Sequence, residues 1–174
     1  MKILNFPPVR QNYSYDCGVA AVQSVLFYYG VDVQYPSLKK MLKSNVTGTP
    51  IANIKRIFKK YGFRVIKKEM TIKEIKQYIN KEIPVILPLQ AWSEDKKIDW
   101  EKDWKDGHYV VAIGYDEKKI YFQDPAAIFK TYLTYEELLK RWHDKDKKRK
   151  YFCYGLAIIG GRRGEIFKKI IHMD

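Results

Sequence analysis

The segment between Gln11 and Gly30 constrains the fold and the chemistry of this chain more than any other stretch. A polar stretch ends at Asp16, Cys17 follows, and an apolar run with helical spacing then continues to Gly30. The spacing predicts a helix over 17–29 that is buried on nearly all sides. Cys17 therefore lies in the first helical turn, where backbone N–H groups and the helix dipole stabilise a thiolate, the nucleophilic form of cysteine.

The remaining elements segregate along the chain, with helices in the first half and strands in the second. Helices are predicted over about 36–42, 50–61, 71–80 and 134–142, and strands over about 63–67, 84–90, 108–115, 119–124 and 151–159. This segregation indicates an α+β domain with an antiparallel sheet. We predict one domain over 1–174, with a helical lobe over about 1–82, a sheet lobe over about 83–160 and a C-terminal tail over 161–174.

Composition narrows the class of protein. The 174 residues are 46% hydrophobic, which excludes a disordered chain. No apolar run approaches the roughly 20 residues that cross a bilayer, and the N-terminus lacks the pattern of a secretory signal. Two cysteines, Cys17 and Cys153, are too few for a secreted disulfide framework. We therefore predict a cytoplasmic protein without a membrane span, and we interpret Cys153 as an inert core residue within an apolar strand.

The net charge of +13 raises the possibility of a polyanionic partner. Lysines are spread over nearly every segment, and the one dense block lies at 145–150. This distribution favours a solvated lysine-rich surface over a nucleic-acid patch. Nucleic-acid binding through 140–150 is kept as a separate hypothesis, which predicts an affinity that falls steeply with salt.

A cysteine nucleophile needs a base, and histidine is the side chain best suited to that role near neutral pH. Of the three histidines, His172 lies in the predicted tail and His143 at the end of a predicted helix beside the charged block. His108 directly follows Gly107 at the start of a predicted strand, at the edge of a lobe. We therefore predict that His108 is the base that serves Cys17.

Two further residues complete the predicted site. Asp124 ends the strand that follows the His108 strand across a short turn, so the two strand ends can lie side by side. Its carboxylate can then hold the imidazole and fix its tautomer. The backbone N–H of Cys17 and the side-chain amide of Gln11 are candidate donors to an oxyanion.

The polar loop over 91–106 contains Trp92, Trp100 and Trp104 shortly before His108. The loop either forms a wall of the substrate cleft or covers the interface between the lobes with its tryptophans. The chain has no Walker loop, no Gly-x-Gly-x-x-Gly and no Cys-x-x-Cys motif. Because its cysteines and histidines are few and dispersed, we expect no cofactor and no metal ion.

The motifs resemble those of the papain-like superfamily, and within it the bacteriocin-processing (double-glycine leader) peptidases and their stand-alone relatives. The matching residues are Gln11, Asp16-Cys17-Gly18-x-Ala20, Tyr28-Tyr29-Gly30 and His108-x15-Asp124-Pro125, within roughly 5–160. The resemblance implies a papain-like fold and thiol peptidase chemistry, with Cys17 as nucleophile, His108 as base, Asp124 as its orienting acid and Gln11 as oxyanion donor. The tryptophan-bearing loop is not part of the family pattern.

The sequence thus predicts a cysteine peptidase that hydrolyses a peptide bond in a peptide or protein substrate through an acyl-thioester on Cys17. Two alternatives stay open at this point. A thioester that is transferred to an amine would make the protein an acyl transferase of the transglutaminase kind. A fold without an activated thiol would make it a non-catalytic peptide-binding module.

Overall fold

The computed structural model describes residues 1–146, 149–161, 170 and 172–173. The described helices are α1 (Cys17–Tyr28), α2 (Tyr35–Leu42), α3 (Ile51–Lys60), α4 (Ile72–Asn80) and α5 (Tyr135–Arg141). The described strands are β1 (Lys2–Ile3), β2 (Arg64–Glu69), β3 (Val85–Gln90), β4 (Gly107–Tyr115), β5 (Lys119–Gln123), β6 (Thr131–Thr134), β7 (His143–Lys145), β8 (Lys150–Phe152) and β9 (Tyr154–Ile159). Most of the predicted tail over 161–174 lies outside the described residues.

An antiparallel sheet forms the centre of the fold. Its strands follow the order β2-β9-β3-β4-β5-β6, and β1 pairs with β4 outside this path. The remaining strands, β7 and β8, form a separate hairpin. The predicted α+β class with an antiparallel sheet is confirmed. Strands β1 and β2 come from the N-terminal half of the chain, so that half supplies part of the sheet as well as four helices.

Helix α1 packs its first turn against the beginning of β4. A Cβ atom on Gly18 would lie 2.5 Å from the side chain of Thr49 and 3.1 Å from that of Tyr109, so only glycine fits at this contact. The Tyr109 hydroxyl donates a hydrogen bond to the main-chain oxygen of Thr49 at 2.9 Å. This close approach brings Cys17, at the start of α1, to the strand end that carries His108.

Two helices start with the capping boxes that the sequence predicts. Thr71 and Glu74 exchange side-chain and backbone hydrogen bonds at the start of α4. Thr134 and Glu137 do the same at the start of α5. Each box satisfies N–H groups that a helix start leaves without intrahelical partners, which is why both helices begin where the local sequence indicates.

The prediction of one long strand over 151–159 is wrong. The strand is interrupted at Cys153, whose φ of 47° lies in the left-handed region. The residues before and after it belong to different sheets, β8 to the hairpin and β9 to the central sheet. The Cys153 N–H donates to the main-chain oxygen of Trp142 at 2.8 Å, and its own main-chain oxygen accepts from Met70 at 2.7 Å. These long-range bonds divide an apolar run that has no local break signal. Cys153 is consequently a half-buried residue between strands rather than a core residue within one.

His143 also differs from its prediction. Helix α5 ends at Arg141, and His143 starts β7 instead of ending the helix. Strands β1, β6 and β7 are each only two to four residues long and were not predicted. Across the described ranges, none of the helices combines the length and the apolar character that crossing a bilayer requires.

Candidate active site

Cys17 is the first residue of α1 and is 6% exposed. The preceding Asp16 is fully buried, but its side chain makes no capping hydrogen bond to the helix. One oxygen of Asp16 instead accepts from the Tyr35 hydroxyl and from the Lys39 ammonium, the latter at 3.1 Å. The Asp16 side chain therefore leaves the first-turn N–H groups of α1 to other acceptors.

His108 lies between a carboxylate and the thiol. Its ring is 5% exposed, and Nε2 donates to Oδ1 of Asp124 at 2.7 Å. The side chain of Cys17 lies close enough to the ring to raise the pKa of His108. Because Nε2 faces Asp124, Nδ1 is the ring nitrogen left for an interaction with the thiol. The structure therefore brings together the predicted residues Cys17, His108 and Asp124, although Cys17 and Asp124 lie 107 positions apart in the sequence.

The protonation states of His108 and Asp124 are coupled. Burial of the His108 ring acts to lower its pKa, but the interactions with Asp124 and Cys17 outweigh burial and raise the pKa from 6.5 to about 9. Burial acts to raise the pKa of Asp124, and the hydrogen bond from His108 outweighs it, so that pKa is lowered. At neutral pH the pair is therefore an imidazolium held by a carboxylate.

The carboxylate of Asp124 is fully engaged. Oδ1 accepts from His108 and from the backbone N–H of Ala126 at 2.9 Å. Oδ2 accepts from Nε1 of Trp92 at 3.0 Å and from the hydroxyl of Thr131 at 3.2 Å. Sequence reasoning placed Trp92 in a possible cleft wall but did not connect it to Asp124, and it gave no signal for Thr131.

Gln11 is anchored next to this site by its backbone. Its N–H donates to the main-chain oxygen of Pro125 at 2.9 Å, one residue after Asp124. Its side-chain Nε2 donates to the main-chain oxygen of Ser14 at 3.3 Å, a long bond, while Oε1 is buried without a hydrogen-bond partner among the described residues. The role of Gln11 as an oxyanion donor stays a prediction.

The tryptophans of the loop before β4 are used in different ways. The Trp92 side chain borders Asp124, and Trp92 is 58% exposed. Trp100 packs under the guanidinium of Arg141, which lies 3.9 Å from the ring centroid. Trp104 packs against His143, with ring centroids 4.6 Å apart. Trp92 thus borders the site, whereas Trp100 and Trp104 pack on elements within the predicted sheet lobe and not between the two lobes.

A cavity of about 110 Å³ lies on the His108 face of the sheet, next to Asp124. Its walls are mainly apolar, with Leu89, Val110 and Phe122 among them. Trp92, Asp124, Thr131 and Arg141 also line it. In the part of the chain that the structure describes, no group of three histidine, cysteine or acidic residues is arranged to hold a metal ion.

A cysteine at a helix start beside a histidine at a strand start is a pairing of the kind that cysteine-based nucleophilic catalysis uses. Residues 5–145 match the Peptidase C39 family, and the chain belongs to that family. The resemblance predicted from the motifs is therefore confirmed, and with it the cysteine peptidase class.

Two curated relatives illustrate the match. The chain is 29% identical over 127 residues to the lactococcin-G-processing and transport ATP-binding protein LagD of Lactococcus lactis subsp. lactis, a match that covers 73% of this chain and 16% of the relative. It is 28% identical over 130 residues to the transport/processing ATP-binding protein ComA of Streptococcus pneumoniae, again covering 73% and 16%. The chain thus matches only a small part of the length of these relatives.

Solved structures share the fold. The peptidase domain of Streptococcus ComA gives a TM-score of 0.66 at 21% identity, covering 86% of this chain and 95% of that domain. A C39-like peptidase from Bacillus anthracis gives 0.68 at 18% identity, covering 92% and 98%. A double glycine motif protease from an AMS/PCAT transporter, solved with its leader peptide, gives 0.66 at 19% identity, covering 90% and 92%.

Proposed function

We propose that this chain hydrolyses peptide bonds with Cys17 as nucleophile, His108 as general base and acid, and Asp124 as the residue that orients His108. The observation that carries the proposal is the position of the imidazole, which hydrogen-bonds to Asp124 at 2.7 Å and lies close enough to the Cys17 side chain for that side chain to raise the pKa of His108. The raised pKa of His108 supports a charged imidazolium beside the sulfur of Cys17 near neutral pH.

In the first half of the reaction, the Cys17 thiolate attacks the carbon of the scissile carbonyl and forms a tetrahedral oxyanion. His108 then gives its proton to the departing amine nitrogen, the C–N bond breaks, and the acyl group stays on sulfur as a thioester. Asp124 stays ionised and holds the imidazole in place throughout.

In the second half, neutral His108 takes a proton from water, and the resulting hydroxide attacks the thioester carbon. The C–S bond breaks, a carboxylic acid leaves, and the thiolate and imidazolium are restored. Both halves pass through an oxyanion, which is stabilised by donors already pointing at the developing charge.

The N–H of Cys17 and the side-chain amide of Gln11 are the proposed donors to this oxyanion. Gln11 is held close to Asp124–Pro125 by its backbone, and Nε2 makes only a long bond of 3.3 Å to Ser14. A half-turn of the amide exchanges Nε2 with the buried, unpartnered Oε1 and turns its donor towards the interior. Gln11→Glu keeps the size of this side chain but removes its N–H donors, so it provides a direct test of the donor role.

The proposed substrate is a peptide or an extended segment of a protein. The double glycine motif protease that shares this fold was solved with a leader peptide, which supports a peptide ligand. Within 1–174 we propose a single peptidase domain, supported by the way β1 and β2 of the N-terminal half join the sheet. A cytoplasmic location stays a prediction.

The test uses a peptide library that includes sequences with a Gly-Gly pair, with Cys17→Ala as the inactive control. We expect cleavage by the parent protein, a transient acyl-enzyme detectable by mass spectrometry, and neither with Cys17→Ala. A product that carries an added amine donor instead of water would favour the acyl transferase alternative. Absence of both cleavage and an acyl-enzyme across the library would favour a peptide-binding module.

A further inference from the structure

Trp92 adopts a backbone conformation that is rare for a large side chain. Its φ is 63°, in the left-handed region that favours glycine, and it directly follows the short stretch that leaves β3. A bulky residue stays in this region only when its other contacts compensate for the strain, and such outliers concentrate at functional sites. The polar contact that Trp92 makes is the hydrogen bond from Nε1 to Oδ2 of Asp124, at 3.0 Å.

We propose that Trp92 is a positioning residue for the reaction, which together with Thr131 holds the Asp124 carboxylate in the orientation that His108 requires. The inference rests on the proposed function of Cys17, His108 and Asp124. It adds two residues that the family motifs do not contain and that come from different parts of the chain, the loop before β4 and strand β6.

The two carboxylate oxygens of Asp124 accept hydrogen bonds from different donors. Oδ1 accepts from His108 and from the N–H of Ala126, while Oδ2 accepts from Trp92 and Thr131. Two donors on Oδ2 oppose rotation of the carboxylate about its Cβ–Cγ bond, and this rotation would take Oδ1 away from the imidazole. Because Asp124 is only 3% exposed, bulk water is poorly placed to replace a lost donor.

The charged surroundings make the effect measurable by pH. The titratable groups that act on His108 are Cys17 from α1 and Asp124 after β5. Asp144 of β7 lies beside Gly107, and Arg141 of α5 lines the same cavity as Asp124. Trp92 and Thr131 are neutral, so their substitution leaves every one of these charges in place. A changed pH profile therefore reports a changed geometry of the carboxylate.

The direction of the change distinguishes two roles. If Trp92 and Thr131 position the carboxylate, their loss weakens its bond to the imidazolium, and His108 loses its proton at a lower pH. If they only withdraw charge from a carboxylate that is already fixed, their loss makes it a stronger acceptor, and His108 keeps its proton to a higher pH.

The experiment measures alkylation of Cys17 by iodoacetate between pH 5 and 10, in a Cys153→Ser background that leaves one thiol. Alkylation requires the thiolate, because the thiolate is the nucleophilic form of cysteine. Iodoacetate is an anion, so the imidazolium beside the sulfur attracts it, and the rate falls as His108 loses its proton. The variants are Trp92→Phe, which keeps an aromatic ring without the N–H, and Thr131→Val. Trp100→Phe is the matched control, since Trp100 packs on Arg141.

We expect Trp92→Phe to move the alkaline limb to lower pH and, on that limb, to slow alkylation about fivefold, the effect of one hydrogen bond of ordinary strength. Thr131→Val should act in the same direction, and Trp100→Phe should match the parent. A parent-like profile in both test variants, or a limb that moves to higher pH, overturns the proposal. Thermal unfolding identifies a misfolded variant, and if Trp92→Phe misfolds, Thr131→Val decides.

The failure of the underlying function is seen separately. If iodoacetate alkylates Cys17 equally fast in the parent and in His108→Ala, the thiol is not activated and the proposed function fails. If the parent is activated and the two variants behave like it, only the role of Trp92 and Thr131 fails.

Discussion

His108 and His143 are two buried histidines with nearly the same local geometry and different chemistry. Each is 5% exposed, and in each ring Nε2 lies 2.7 Å from an oxygen atom. For His108 the oxygen belongs to the carboxylate of Asp124, and for His143 to the main-chain carbonyl of Asp103. Burial and a short hydrogen bond are therefore not enough to identify a catalytic histidine. The two rings differ in their acceptors, which are a charged carboxylate for His108 and a neutral carbonyl for His143.

The other surroundings of the two rings strengthen the contrast. The side chain of Cys17 also acts on His108 and raises its pKa. The ring of His143 packs against Trp104, and its main-chain oxygen accepts from the buried amide of Gln90 at 3.0 Å. His143 thus ties the β7–β8 hairpin and the loop before β4 to the edge of the sheet, which is a structural role.

The largest expected effect separates the two histidines by activity. His108→Ala should lower kcat/KM, or the rate of Cys17 alkylation, about a thousandfold, because the base is lost. His143→Ala should keep the parent rate within a few-fold when both are measured well below their unfolding temperatures. Equal losses in the two variants would contradict the assignment of His108 as the base.

A smaller effect is expected when only the charge of the acceptor changes. Asp124→Asn offers His108 a neutral oxygen, as Asp103 offers His143, and should lower kcat/KM about 10- to 100-fold, the range of a lost hydrogen bond to a charged group. Asp103→Asn changes a side chain while keeping the carbonyl that His143 contacts, and it serves as the control. Full activity of Asp124→Asn would show that the charge of Asp124 is dispensable.

The pH dependence of stability tests the same difference. The pKa of His108 is raised from 6.5 to about 9 in the folded protein, so its protonation stabilises the fold fully below pH 6.5. This contribution is lost as pH rises towards 9, and the free energy of unfolding should fall over that window. Urea unfolding at several pH values should show a shallower fall in Asp124→Asn, and an identical fall in both proteins would contradict the coupling.

The smallest effect concerns stability alone. His143→Ala removes the donor to the Asp103 carbonyl and should lower the free energy of unfolding by about 1–3 kcal/mol, the cost of a buried group left without its partner. Urea unfolding at pH 7 measures it, with Lys145→Ala in the same hairpin as an exposed control. A stability equal to that of the parent would remove the structural role of His143.

Much of the site could be predicted because its signals are local. The apolar spacing after Cys17 and the capping boxes at Thr71 and Thr134 depend on residues within a few positions, and the corresponding helices begin within a residue of the prediction. The hairpin of β4 and β5 depends on a short turn, which is why His108 and Asp124 could be expected at neighbouring strand ends.

The sequence by itself determined the helices, the main strands and the three residue types that the chemistry needs, because periodicity, capping and short turns act over short distances. Tertiary structure alone decided that Trp92 donates to Asp124 and that His143 donates to a main-chain carbonyl. It also decided that the predicted last strand is interrupted at Cys153. These outcomes depend on segments distant along the chain that pack together, and no local pattern encodes which donor meets which acceptor.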